Sequence, residues 1–300
     1  MTPRTRALSA AMALVASAAI ALSPAVATAQ TSSIDPQTSS QLLAQLPFPP
    51  SITRSFTQGA HHREYHVALP ANFNPSRSYP IVIGFGGYTD TAASFRGYAG
   101  LEGATGGEAI LVFAQGVNNA WAGAPYSATT LAEDIEYTRR AINDVAANFS
   151  GDAGRVYATG LSNGGGFAAA LSCHAPELVD AVASVAGAYY DPTVTGCSHA
   201  AQVPTLLMHG TADGLVAYEG GYRHNAHYMG VEAALAGFAA RNGCASGPLN
   251  PSWEYAGSTT LRPGSCATAT EIVRVEGAGH TWFNSPAAEY VAWDFFRAHG

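Results

Sequence analysis

The sequence predicts an α/β fold built on a mainly parallel sheet with helices on both faces, and two features carry that prediction. Short apolar, often β-branched runs recur at residues 81–83, 109–113, 155–158, 181–185, 205–208 and 271–275. They are continuous rather than alternating, as strands covered on both faces are. Helical stretches at 130–148, 164–172, 229–241 and 287–298 fall between them. Strands alternating with helices form a parallel sheet. There is no internal repeat, and no second domain is expected after the last helix.

In chain order, the first segment reads as something other than fold. Arg4 and Arg6 precede an Ala/Leu/Val-rich run at 7–23, and Ala27-Thr28-Ala29 follows as an A-x-A cleavage site. This is the pattern of a secretory signal peptide over 1–29. A membrane anchor fits less well, because the apolar run is short and Pro24 interrupts it. Residues 30–52, rich in Ser, Thr, Gln and Pro, read as a tether. Residues 53–300 then form one catalytic domain. Its first strand is announced by Tyr65, Val67 and Leu69 alternating with other residues, as on a half-buried strand.

Composition bounds the function. The 300 residues are 47% hydrophobic, enough for a large core, and the net charge of −7 argues against a nucleic-acid partner. The 14 basic residues are all arginine, from which no function follows, and the 32 glycines show no collagen-like period. Cys173, Cys197, Cys244 and Cys266 are widely spaced without a C-x-x-C pair, so a structural zinc site is not expected. In an exported chain disulfides are favoured. Three connectivities are open, and the sequential one, Cys173–Cys197 with Cys244–Cys266, is the expectation.

The most informative segment is Arg155-Val156-Tyr157-Ala158-Thr159-Gly160-Leu161-Ser162-Asn163-Gly164-Gly165-Gly166. It holds G-x-S-x-G after a strand-like run and before a helix start, which is the strand–turn–helix nucleophile elbow of α/β-hydrolases. A neutral serine hydroxyl needs a base, usually a histidine held by a carboxylate, and in this fold the order is Ser, acid, His. Seven histidines follow Ser162. His280, in the turn after the last strand, is placed to be the base. His174 and His199 neighbour cysteines, His299 is nearly terminal, and His224 with His227 lacks a third metal ligand. Asp213 closes the 205–208 strand in His209-Gly210-Thr211-Ala212-Asp213 and is the expected acid, with Asp191 in reserve. The oxyanion donors should be Asn163 N–H and an N–H from the loop Gly84-Phe85-Gly86-Gly87-Tyr88, with Tyr88 favoured and Gly87 next. Trp121, Tyr189, Tyr190, Tyr218 and Trp282 are candidates to line an aromatic cleft.

Several segments together carry a resemblance: Phe85-Gly86-Gly87, Ala92-Ala93-Ser94-Phe95, Asn118-Asn119-Ala120-Trp121, Asp134-Ile135, the elbow, the Asp213 turn, and Gly279-His280-Thr281-Trp282. From about residue 61 to 297 the chain resembles the secreted polyhydroxybutyrate depolymerase/feruloyl esterase type of α/β-hydrolase, related to carbohydrate esterase family 1. The resemblance implies a serine esterase without a cofactor. Ser162, Asp213 and His280 match the triad positions, and Cys173 with Arg241-Asn242-Gly243-Cys244 supports two disulfides. Two departures stand out. The family commonly has His where this chain has Gly86, and no polymer-binding domain or carbohydrate-binding module accompanies the domain.

The expected chemistry is a two-step acyl transfer to water on an ester substrate, with no metal, nucleic acid or transmembrane anchor, outside the cell or in its envelope. Two other readings compete. One is a cell-envelope acyltransferase acting on long-chain acyl esters, and the other is a non-catalytic binding protein on the same scaffold.

Overall fold

The computed structural model describes residues 51–300. The signal peptide and nearly all of the tether lie outside the described residues. Strand β1 (Ile52–Gln58) starts at the last residue of the expected tether and pairs antiparallel with β2 (His61–Ala68) across a turn at Gly59. The ten-stranded sheet then runs β1-β2-β4-β3-β5-β6-β7-β12-β11-β10. Its centre, from β4 (Ile110–Ala114) through β3 (Tyr79–Phe85), β5 (Gly151–Leu161), β6 (Ala181–Val185) and β7 (Thr205–Gly210) to β12 (Thr270–Val275), is parallel throughout. The edge pairs on both sides, including β11 (Ser258–Arg262) and β10 (Asn250–Ser252), are antiparallel. Every residue of β3, β4, β6 and β7 is buried, which is why these strands read as unbroken apolar runs.

Side chains alternate between two cores. Ile81, Ile83, Phe85 and Ala158 pack on one face with Tyr137, Phe167 and Val145. Val82, Tyr157 and Ala183 pack on the other with Phe95, Trp293 and Phe296. The principal helices are Leu131–Phe149, Asn163–His174, Val231–Arg241 and Ala288–His299, each within two residues of its expected bounds. The first is opened by a capping box between Thr130 and Glu133. Among the described residues no helix is long and apolar enough to cross a membrane.

Disulfides join Cys173 to Cys197 and Cys244 to Cys266. The first ties the end of the helix after Ser162 to the segment ahead of β7.

One buried ion pair organises the loops above the sheet. Arg63 on β2 and Asp134 on the first long helix meet at 2.8 Å with both side chains inaccessible to solvent. Asp134 Oδ2 also accepts from Ala122 N–H and Thr129 Oγ1, each at 2.8 Å. This carboxylate therefore anchors the loop that carries Trp121. Asp134→Ala would strand the Arg63 charge in the interior, and a loss of about 3–5 kcal/mol is expected. Chemical denaturation of the purified variant measures it.

Candidate active site

Ser162 links β5 to the helix Asn163–His174 with φ 56° and ψ −116°, a conformation rare for a residue with a side chain. Three hydrogen bonds hold it. Its N–H donates to Val185 O at 2.9 Å, and its carbonyl accepts from Gly166 N–H at 2.9 Å and Ala188 N–H at 3.0 Å. The turn is so tight that a Cβ at Gly160 would lie 2.6 Å from Phe85 O, and one at Gly164 would lie 2.2 Å from it. The two glycines of the motif are thus steric requirements of the elbow.

His280, in the turn after β12, lies 2.7 Å from Asp213 through Nδ1 and Oδ2. The carboxylate accepts, so Nδ1 carries the proton and Nε2 keeps its lone pair. Asp213 Oδ1 accepts from Leu215 N–H and Val216 N–H, both at 2.8 Å. Burial by itself pushes the Asp213 carboxyl up. Hydrogen bonds from His209, His280 and Val216 outweigh it and hold the carboxyl well below the usual range. Ser162 and His280 line one cleft of about 220 Å³, together with Gly87, Tyr88, Tyr126, Tyr190, Leu215, Arg223 and His224.

The loop after β3 lies against the serine, with a Cβ at Gly87 falling 3.5 Å from Ser162 Cβ. Gly87 itself is not an available oxyanion donor, because its N–H is taken by Asp90 Oδ2 at 2.8 Å. Tyr88 N–H has no hydrogen-bond partner among the described residues. Asn163 is the first residue of its helix, where an N–H lacks an intrahelical acceptor. Gly86 cannot carry the histidine of the related pattern, since its Cβ would sit 2.7 Å from Asp90 Cβ.

The aromatic expectation needs correction. Trp121, Tyr189, Tyr218 and Trp282 are buried packing residues whose polar tips are hydrogen-bonded to residues outside the cleft lining, and none of them lines the cleft. Trp121 Nε1 donates to Gly86 O, and the Trp121 backbone exchanges two hydrogen bonds with the Asn163 side chain. Tyr189 OH meets Ser184 Oγ, Tyr218 OH donates to Glu232 and Trp282 Nε1 donates to Glu289. The cleft aromatics are Tyr88, Tyr126 and Tyr190. Tyr88 and Tyr126 stack at 4.1 Å, and His224 stands edge-on to Tyr126 at 4.8 Å. His224 comes from a hairpin of β8 (Gly220–Arg223) and β9 (Ala226–Met229) that the sequence reading missed. The available signal was Gly-Gly followed by a His-Asn turn, with both turn residues at positive φ. Asp191, the reserve acid, instead starts a short helical turn, Asp191–Val194, beside another pocket.

Sequence reading also passed over His209. Its Nε2 lies 2.8 Å from Val216 O and 3.2 Å from Asp213 Oδ2, both acceptors, so the proton sits on Nε2. Its Nδ1 is buried without a partner. His209 is therefore a second donor to the carboxylate that holds His280. The His-Gly-x-x-Asp spacing at the end of β7 was the signal available.

No family model matches the chain. Feruloyl esterase C of Emericella nidulans is 26% identical over 262 residues, covering 83% of this chain and 88% of that protein. Feruloyl esterase B of Piromyces equi is 26% identical over 252 residues, 78% of this chain, but the chain spans only 45% of that relative's length. Among solved structures, an acetyl xylan esterase from Aspergillus awamori matches with a TM-score of 0.61 at 14% identity, covering 82% of this chain and 99% of the other. Esterase 2 of Thermogutta terrifontis matches at 0.54 and 16%, covering 84% and 92%. The chain has the α/β-hydrolase fold. It is a serine-type carboxylic ester hydrolase, similar to the feruloyl esterases.

Removing the His209 donor leaves Asp213 with more charge to direct at His280, which then holds its proton more tightly. His209→Phe should move the acid limb of the kcat/KM–pH profile upward. One hydrogen bond of about 1 kcal/mol corresponds to about 0.7 pH unit. His209→Gln, which can restore an N–H at the same reach, should stay near wild type. An unmoved limb in His209→Phe would show that the ring only packs.

Proposed function

We propose that the protein is an exported serine esterase acting on feruloyl- or acetyl-carbohydrate esters or hydroxyalkanoate-type esters, with Ser162, His280 and Asp213 as its triad. The observation that carries this reading is the 2.7 Å Asp213–His280 pair opening on the same cleft as Ser162 at the strained elbow. The names of the sequence relatives favour feruloyl esters, and the acetyl xylan esterase fold match is compatible with the same polysaccharide setting. The disulfides and the signal-like first 29 residues support export.

This arrangement supports a two-step acyl transfer. Ser162 Oγ attacks the ester carbonyl while His280 Nε2 removes its proton, and Asp213 orients the ring and stabilises its charged form. Tyr88 N–H and Asn163 N–H stabilise the oxyanion, aided by the positive end of the helix that starts at Asn163. His280 returns its proton to the leaving alcohol. It then deprotonates a water, which attacks the acyl group on Ser162 and releases the acid.

Ser162→Ala should lower kcat on 4-nitrophenyl butyrate by about 10⁴-fold or more while leaving the melting temperature essentially in place. Wild-type rates on methyl ferulate, acetylated xylan and polyhydroxybutyrate identify the natural ester. Full activity in Ser162→Ala would overturn the mechanism.

A further inference from the structure

The cleft beside Ser162 holds a set of hydrogen-bond donors that none of the hydrolytic steps uses. Arg223 ends β8 and lines the cleft with Tyr126 and Tyr190. Its one hydrogen bond among the described residues runs from Nε to His224 Nε2 at 3.2 Å, and its terminal fork meets no carboxylate there. Elsewhere the arginines are mostly spoken for. Arg54, Arg63, Arg155, Arg262, Arg274 and Arg297 each sit on an acidic partner. In a chain of net charge −7, an arginine fork without an acidic partner beside the nucleophile is conspicuous.

The phenol hydroxyls of Tyr126 and Tyr190 likewise have no hydrogen-bond partner among the described residues. Burial pushes both phenols up, so both remain protonated donors, and the Arg223 charge acts in the opposite direction on each, as befits a neighbouring cation. The one carboxylate in the cleft, Asp90, is occupied by Gly87 N–H, Tyr98 OH and Ser94 Oγ.

The hairpin that carries Arg223 is held in place. The Arg223 end of the hairpin is set by a two-residue turn at His224 and Asn225. Its base is pinned by a bridge between Tyr190 and Tyr228 and by Met229 N–H donating to Tyr189 O at 2.9 Å. The guanidinium fork offers only hydrogens, and the two phenol hydroxyls beside it are free to donate to the same group, so an acceptor-only anion complements the set and carboxylate geometry matches the fork. The cleft volume of about 220 Å³ suits a short chain or a single ring next to the reacting carbonyl.

We propose that Arg223, with Tyr126 and Tyr190, forms a subsite for a carboxylate carried by the substrate, so that the enzyme favours esters bearing an anionic group a short distance from the scissile bond. This rests on the serine esterase reading of the same cleft. The carboxylate could belong to the acyl part, as in a half-ester of a dicarboxylic acid, or to the alcohol, as in a uronate or a hydroxy acid, and matched pairs separate these.

The acyl arm compares 4-nitrophenyl hemiadipate with its neutral amide, 4-nitrophenyl adipamate. The alcohol arm compares 3-carboxyphenyl butyrate with 3-carbamoylphenyl butyrate. In one arm wild type should favour the anionic member by about tenfold in kcat/KM, the size of effect a single charge-assisted hydrogen bond supports. Arg223→Gln should bring that ratio close to one, chiefly through KM, and Arg223→Lys should keep part of it. No anionic preference in either arm overturns the proposal. So does a ratio that survives Arg223→Gln, which includes an equal loss on both members. Ser162→Ala separates the two levels. If it retains turnover of the neutral esters, the esterase mechanism fails. If it abolishes turnover while wild type shows no anionic preference, the subsite alone fails.

Discussion

The site hangs on one backbone conformation. Ser162 stands at φ 56° and ψ −116°, which costs on the order of 1–3 kcal/mol and persists only where its surroundings over-determine it. Here the surroundings are the hydrogen bond that Ser162 N–H donates to Val185 O, those its carbonyl accepts from Gly166 and Ala188, and the close approach of Gly160 and Gly164 to β3. The parallel centre of the sheet makes this possible. β3, β5 and β6 end together, so the loop after β3, the elbow and the segment after β6 meet at one edge. Moving the serine means moving the ends of three strands.

Around that fixed point, the loops are held by buried polar contacts. The Arg63–Asp134 pair anchors the segment that carries Trp121, and Trp121 in turn grips the Asn163 side chain and Gly86 O. Asp90 closes the loop after β3 by accepting from Gly87 N–H while its own N–H donates to Gly87 O. This leaves Tyr88 N–H without an acceptor among the described residues. On the far side, Asp213 is held by donors from four residues, His209, Leu215, Val216 and His280. These contacts hold the carboxyl well below its usual range, as suits a group proposed to orient a base.

Much of this was legible in the sequence. The covered strands show as unbroken apolar runs because both their faces are buried, and the elbow shows because its steric demands admit only glycine at 160 and 164. The candidate acid and base, Asp213 and His280, could be paired because each closes a strand. The cleft walls were not legible, for a physical reason. Tyr189 and Tyr190 are neighbours in sequence, yet only Tyr190 reaches the cleft, while Tyr189 finds Ser184 inside the core. An aromatic residue serves either place equally well until its polar tip has a partner. The β8–β9 hairpin escaped notice because its strands are four residues each and partly polar, with neither a period-2 apolar pattern nor an Asn-Gly turn. The Gly87 donor was misjudged because its capture by Asp90 depends on the turn through Thr89, whose φ of 78° no residue-type rule predicts.

The central claim is that Ser162 is the nucleophile, activated by the His280–Asp213 pair. The most direct measurement is titration of the purified protein with a fluorophosphonate, followed by intact mass and peptide mapping. The account predicts one adduct per chain, on Ser162, with esterase activity falling in proportion to its formation and no adduct on His280→Ala over the same time. Activity lost without modification of Ser162, or an adduct on another serine that tracks the loss, would contradict it.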